Sequence, residues 1–267
     1  SLDLLFGLCY ALCMIPLFKS HFSIGKSILT LDAPADNSGP KSVFSLAEAE
    51  GLDKVFLVED SLTGFLQAQK ISESMGVQLI FGLRLTMCDD AAKEIPKGGD
   101  SSSHKIIVFA RTSAGCNLLN KIYSWAFTKG NGRVDSSVLK EVWNEEHLSL
   151  VIPFYDSFLF NNLFSFKTCV ADLSFATPVF FLEDNNLPFD LLTHEKVQAY
   201  CCTEGHETMA SKSIYYDKRS DFAAYQTYKC ICSRGSFGRA VSLSKPNLDH
   251  CGSNEFCFES WQQKTRD

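Results

Sequence analysis

The feature that most constrains the fold is a repeated alternation between short apolar runs and longer segments with apolar residues at helical spacing. Residues 54–60, KVFLVED, have the β-branched and aromatic character of a strand. Residues 65–76 are amphipathic and end at a glycine, as many helices do, and residues 77–87 form a second apolar run. A strand–helix–strand unit favours parallel strands with both faces covered. Several such units in one chain predict an α/β protein, built as a barrel or as a large open sheet.

The alternation continues to about residue 235. The predicted strands are 54–60, 77–87, 104–111, 148–154, 175–184 and 206–216, and the predicted helices are 42–52, 65–76, 114–130, 136–144, 191–205 and 220–235. Segments 31–42 and 91–103 are rich in proline, glycine, serine and aspartate. We interpret both as surface loops rather than as linkers between domains.

Composition limits the class of protein. A chain of 267 residues with 45% apolar residues can bury a full core, as one large domain or two small ones. The net charge of −6, with no basic run longer than Lys218-Arg219, argues against a surface that grips nucleic acid by itself. Eleven cysteines without any C-x-x-C pair indicate reduced, mostly buried thiols in a cytosolic protein.

The first residues form an apolar stretch that carries Asp3 and has no basic start. The stretch is shorter than the roughly 20 residues that a bilayer-spanning helix needs. We interpret residues 1–13 as a leader or extension outside the fold, which then comprises residues 14–267.

The order of the segments resembles the PHP domain at the N-terminus of bacterial-type replicative DNA polymerases, the DNA polymerase III alpha subunit family. The opening strand of that family reads His-x-His-Ser-x-Tyr-Ser, and LFKSHFS at residues 17–23 keeps the two serines and the aromatic residue. Further matches lie at residues 51–60, 74–85, 117–127, 206–231 and 256–263. The resemblance spans about residues 15–265 and implies a PHP-type distorted (β/α)7 TIM-like barrel.

Active PHP domains bind two or three metal ions through His, Asp and Glu side chains at strand ends. The positions that correspond to that metal cleft are Leu17, Lys19, Glu59, Asp60, Arg84, Ser213 and Tyr215. The resemblance leaves open whether Glu59 or Asp60 faces the cleft. Leucine has no lone pair for a metal, and lysine and arginine bring like charge, so we expect no catalytic residue and no bound metal. Lys19 and Arg84 are expected to pair with Glu59 or Asp60 in place of the metals.

These expectations favour a catalytically vestigial PHP domain, which serves as a scaffold in a cytoplasmic replicative polymerase and binds a proofreading exonuclease. The parent protein would be a DNA-directed DNA polymerase, and this domain would meet DNA only through it, without any membrane contact. The alternative is a metal-dependent phosphoesterase with a rearranged site built from Glu59, Asp60 and one of His21 or His206. A third hypothesis is that the chain is a free-standing binding protein. The sequence does not identify the partner surface, the oligomeric state or a bacterial or viral source.

Overall fold

The computed structural model describes residues 14–32, 39–95, 100, 102–165, 168–232 and 250–266. Helices and strands alternate along these residues, which confirms the predicted α/β class. The chain divides into two compact units. Among the described residues, the first unit contains those in 82–182 and 191–210, and the second contains those in 14–81, 183–190 and 211–266. Residues 1–13, predicted as a leader, lie outside the described residues, and the single domain at 14–267 stays a prediction.

The described elements have the following bounds. The strands are β1 Ile15–Phe18, β2 Lys54–Glu59, β3 Gln78–Met87, β4 His104–Ala110, β5 Arg133–Val134, β6 Leu148–Ile152, β7 Val179–Leu182 and β8 Glu207–Ile214. The α-helices are α1 Val43–Ala49, α2 Phe65–Met75, α3 Ser113–Thr128, α4 Ser136–Val142, α5 Phe158–Phe164, α6 Asp190–Glu204, α7 Phe222–Cys232 and α8 Phe258–Arg266. A short 3-10 helix, Arg219–Asp221, precedes α7.

In the second unit, β1 lies between β2 and the end of β8 and runs parallel to both. Leu17 on β1 is paired with Phe56 on one side and with Ser213 on the other. Because parallel neighbours end at the same edge of a sheet, the residues that follow β1, β2 and β8 lie close together. This edge holds most of the positions that the sequence analysis selected.

In the first unit, the strand order is β8, β7, β6, β4, β3, β5. β7 is parallel to β6 and to β8, with α5 and α6 as the crossovers. The expectation of parallel strands is wrong for β4, which runs antiparallel to both β3 and β6. The described residues between β3 and β4 contain no helix, and a connection without a crossover helix joins antiparallel neighbours readily.

Other elements differ from the sequence-based predictions. The predicted strand 175–184 is shortened to β7, and α5, β5 and α8 had not been predicted. α5 begins where Ser157 Oγ accepts a hydrogen bond from the Phe160 N–H at 3.2 Å. The predicted loops 31–42 and 91–103 and the helix 220–235 each extend partly outside the described residues.

The predicted burial of the cysteines holds for part of the set. Cys88, Cys169, Cys201, Cys251 and Cys257 are buried, whereas Cys202 and Cys232 are exposed. Among the described helices none is long and apolar enough to cross a membrane.

Candidate functional site

Six of the seven predicted cleft positions lie in the second unit. They are Leu17 on β1, Lys19 just after it, Glu59 at the end of β2, Asp60 just after it, Ser213 on β8 and Tyr215 just after β8. The seventh, Arg84, lies on β3 in the first unit. Arg84 Nη2 donates a hydrogen bond to Asp156 Oδ2 at 2.6 Å, a partner that the sequence analysis did not name.

Lys19 and Asp60 form an ion pair at the ends of β1 and β2. Lys19 Nζ lies 3.1 Å from Asp60 Oδ1. The lysine side chain is 6% exposed and the aspartate side chain 33% exposed. The Lys19 N–H donates to Ile214 O at 3.3 Å, which holds the residue against the end of β8. The pairing expected between Lys19 and an acidic residue of the β2 end is therefore present.

Glu59 is buried beside this pair and is fully engaged in hydrogen bonds. Its Oε1 accepts the Ser20 N–H at 2.8 Å, and its Oε2 accepts the Ser23 hydroxyl. Ser23 Oγ in turn accepts the Asp60 N–H at 2.9 Å. Burial raises the pKa of Glu59 above its ordinary value, and the positive charge of Lys19 opposes that rise. Both carboxylate oxygens thus face donors from the loop after β1.

A second buried carboxylate, Glu183, binds to β8 in the same manner. Glu183 accepts the Ser213 N–H at 2.9 Å and the Ser213 hydroxyl at 2.8 Å. Asn185 Nδ2 donates to it at 2.9 Å. Burial raises the pKa of Glu183, and these three hydrogen bonds oppose the rise. Ser213, one of the predicted cleft positions, therefore serves as a donor to a carboxylate rather than standing free.

Lys212 places a second ammonium group next to this carboxylate. Its Nζ donates to Asn185 Oδ1 at 2.6 Å and to Asp184 O at 3.3 Å, and its side chain is fully buried. Burial, together with the charge of Lys264, lowers the pKa of Lys212 to about 8. The sequence analysis did not select Glu183 or Asn185. The available signal was the run Glu-Asp-Asn-Asn directly after an apolar strand.

The residues at this edge do not fit the metal cluster that the family resemblance implies. Within the described ranges, no three His, Cys, Asp or Glu side chains are grouped so that they could hold a metal ion. A cation next to Asp60 would meet the Lys19 ammonium, and Glu59 already accepts two hydrogen bonds. A divalent ion needs several lone pairs that converge on one point, and these carboxylates direct theirs at serine and lysine donors.

The histidines proposed for a rearranged metal site lie elsewhere. His21 is exposed and packs against Phe22, with ring centroids 4.4 Å apart and the rings tilted by 34°. His206 lies just before β8 in the first unit and stacks on Phe180, with ring centroids 5.4 Å apart. Neither histidine belongs to a metal-binding group in the part of the chain that the structure describes.

Comparisons with known proteins give distant similarity to solved structures and no match by sequence. No protein-family model matches the chain, and no curated protein matches it. Among solved structures, it is similar to a two-domain protein from Bacteroides vulgatus ATCC 8482 that contains a predicted PHP-like metal-dependent phosphoesterase. The identity is 12% and the TM-score 0.37, over 75% of this chain and 52% of the other. The chain therefore spans about half the length of that protein.

Proposed function

We propose that this chain is a PHP-type domain of a bacterial-type DNA polymerase III alpha subunit whose metal centre has been replaced by internal ion pairs. Its fold would be the distorted (β/α)7 barrel of that family, and its role that of a scaffold in a cytoplasmic replicative polymerase. The partners would be the rest of the alpha subunit and a proofreading exonuclease. The order of sequence motifs supports the family, and the side chains at the ends of β1, β2 and β8 support the loss of catalysis.

The observation that carries the proposal is the contact of Lys19 Nζ with Asp60 Oδ1 beside the hydrogen-bonded Glu59. Lys19 stands where the family has its second histidine. An ammonium neutralises a carboxylate, but it has no open coordination position. It can donate hydrogen bonds to a phosphate oxygen or a water, but it accepts no lone pair, so it cannot lower the pKa of a bound water as a divalent ion does. The remaining function of such a site is to hold three strand ends together.

The loss of catalysis is tested by metal content and phosphodiester hydrolysis. The full chain, purified without chelator, is analysed by plasma mass spectrometry and then assayed on bis(p-nitrophenyl) phosphate with added Mn²⁺ or Zn²⁺. We expect substoichiometric metal and no turnover above that of a Glu59→Gln variant. Two or three bound metal ions per chain, with turnover that the Glu59→Gln substitution abolishes, would contradict the proposal and support the rearranged phosphoesterase.

The scaffold role is tested by binding. The proofreading exonuclease and the polymerase core encoded in the same genome are purified and titrated with the chain in isothermal calorimetry. We expect a saturable complex with at least one of them. Failure of both to bind, together with an absence of metal, would favour a free-standing binding protein.

A further inference from the structure

Helix α6 exposes large apolar side chains on its outer face. Its inner face is buried through Thr193, Val197 and Cys201. On the outer face, Leu191 and Leu192 are 74% and 51% exposed. Ala199, two turns beyond Leu192, is exposed as well. Neighbouring exposed apolar residues on one helix are typical of an interaction surface, whereas a single exposed leucine needs no such explanation.

Two opposite charges lie between these apolar residues. The outer face reads apolar, acidic, basic, apolar at positions i, i+3, i+4 and i+7, through Leu192, Glu195, Lys196 and Ala199. The Glu195 and Lys196 side chains are exposed, and neither has a hydrogen bond or an ion pair to any described residue. Successive residues of a helix do not face each other, so these two charges do not neutralise one another. Both are available to a partner.

The order of these residues is complementary to itself when the helix is reversed. A twofold axis midway between Glu195 and Lys196 places the glutamate of each copy opposite the lysine of the other. The same axis places Leu192 opposite Ala199, a large apolar residue against a small one. Two antiparallel helices related in this way match acid with base and apolar side chain with apolar side chain.

Helix α2 shows that an exposed leucine does not by itself give this complementarity. The equivalent positions on α2 are Leu66, Gln69, Lys70 and Glu73. The same twofold operation would place an amide opposite an ammonium group and a leucine opposite a carboxylate. In addition, Gln69 Nε2 already donates to Glu73 Oε1 at 2.6 Å. The charge order on α6, rather than exposure alone, therefore favours a second copy as its partner.

We propose that the outer face of α6 is the contact between two copies of this chain, related by a twofold axis. Glu195 of each copy pairs with Lys196 of the other, and Leu192 packs on Ala199. A contact limited to one helix from each copy is smaller than the roughly 1,200 Å² of most stable interfaces, so the dimer is weak and forms as the concentration rises. The inference goes beyond the proposed scaffold function and does not depend on it.

The test is sedimentation velocity of the full chain in reducing buffer, from about 1 to 200 μM, a range suited to a weak complex. We expect a sedimentation coefficient that rises with concentration, as in a monomer–dimer equilibrium. Leu192→Glu should weaken dimerisation about tenfold or more. The matched control is Leu66→Glu, which places the same charge at an exposed leucine of α2 and should leave dimerisation unchanged.

Exchange of the charges tests the twofold pairing. Glu195→Lys and Lys196→Glu should each weaken dimerisation several-fold, because each places like charges opposite one another. A mixture of these two variants should dimerise more tightly than either alone, since every pair across the axis is then oppositely charged. The double variant, Glu195→Lys with Lys196→Glu, should recover the wild-type affinity. Lys70→Glu on α2 makes the same change of net charge as Lys196→Glu and should have no effect.

Three results would overturn the inference. The first is a chain that stays monomeric over the whole concentration range. The second is a dimer that Leu192→Glu weakens no more than Leu66→Glu does. The third is a failure of both the mixture and the double variant to restore the dimerisation that the single charge variants lose.

Discussion

Lys19 Nζ lies 3.1 Å from Asp60 Oδ1, where the neighbouring parallel strands β1 and β2 end. The ammonium is almost completely buried, whereas the carboxylate is one-third exposed. Glu59 lies next to the pair and depends on the Lys19 charge to offset part of its own desolvation. The positive charge at this edge is therefore supplied by the side chain of Lys19. Removing this charge should destabilise the fold, because the ionised forms of Glu59 and Asp60 would lose its attraction.

The first prediction is that Lys19 and Asp60 are energetically coupled. Lys19→Met removes the ammonium from beside Glu59 and Asp60, and Asp60→Asn removes the carboxylate that lies 3.1 Å from the nearly buried Lys19 ammonium. We expect each single variant to lose about 1–3 kcal/mol of unfolding free energy, and the double variant to lose less than the sum by about 1 kcal/mol. Urea denaturation of the four proteins measures the cycle. Additive losses would show that the two residues contribute independently.

The second prediction concerns the pH dependence that Glu59 confers. Its pKa is raised in the folded protein, so the native state binds the Glu59 proton more tightly than the unfolded chain does. The contribution of Glu59 to stability is therefore most favourable below the ordinary pKa of about 4.5 and declines as the pH rises through the folded value. Relative to Glu59→Gln, the wild type should lose stability as the pH is raised from about 4.5 towards neutral. Urea denaturation across this interval tests the direction of the change in stability. A wild type that becomes more stable relative to Glu59→Gln as the pH rises would contradict the prediction.

The sequence predicted most of the elements of the fold but not their pairing. Apolar periodicity reports which faces of a segment are buried, and it carries no information on which strand lies alongside. β4 has the same apolar character as the parallel strands, yet it is antiparallel to β3 and β6. α5 was missed because FLFNNLF has no charged face, and its one local signal is the capping serine at position 157.

The candidate site could be located from the sequence only where a motif pointed to it. Lys19 and Asp60 were selected because the family pattern places metal ligands there, and the structure brings them together. Glu183 and Asn185 correspond to no motif that the resemblance supplied, although they follow a buried strand directly. Their contacts with Lys212 and Ser213 join residues about 27–30 positions apart, and such contacts depend on strand order.

The third prediction concerns the ion pair between the 3-10 helix and the segment before α8. Arg219 Nε and Nη2 donate to the two oxygens of Glu255 at 2.9 and 3.0 Å. This contact is the main reason that the pKa of Glu255 falls to about 2. Since the pKa is lowered, the stabilisation is present above the ordinary value of about 4.5 and disappears as the pH falls towards 2. At neutral pH, Glu255→Gln should cost about 2–3 kcal/mol.

The control for this prediction is Glu259→Gln. Glu259 Oε2 lies 3.9 Å from Arg219 Nη1, and its side chain is more exposed than that of Glu255. Glu259 Oε2 also accepts the Arg219 N–H at 2.9 Å, and the amide oxygen of a glutamine can still accept that hydrogen bond. We expect it to cost less than about 1 kcal/mol. Acid titration of unfolding, followed by circular dichroism, compares the variants. Equal losses of unfolding free energy in Glu255→Gln and Glu259→Gln would contradict the role of the bidentate contact. So would a loss in Glu255→Gln that persists at pH 2.

The fourth prediction is that the charge on the buried Lys212 side chain lowers the stability of the folded protein. Glu183 and Glu255 attract its ammonium, whereas burial and Lys264 disfavour it and lower the pKa of Lys212 to about 8. Between this value and the ordinary lysine pKa of about 10.5, the unfolded chain binds more protons than the native protein. Wild-type stability should therefore rise relative to Lys212→Met as the pH increases from about 8 to 10. Lys121→Met, which removes an exposed charge on α3, should show no such change relative to the wild type. Urea denaturation at stepped pH gives the three curves. A constant difference between wild type and Lys212→Met would mean that the buried ammonium is fully compensated by Asn185, Asp184 and Glu183, and the prediction would be wrong.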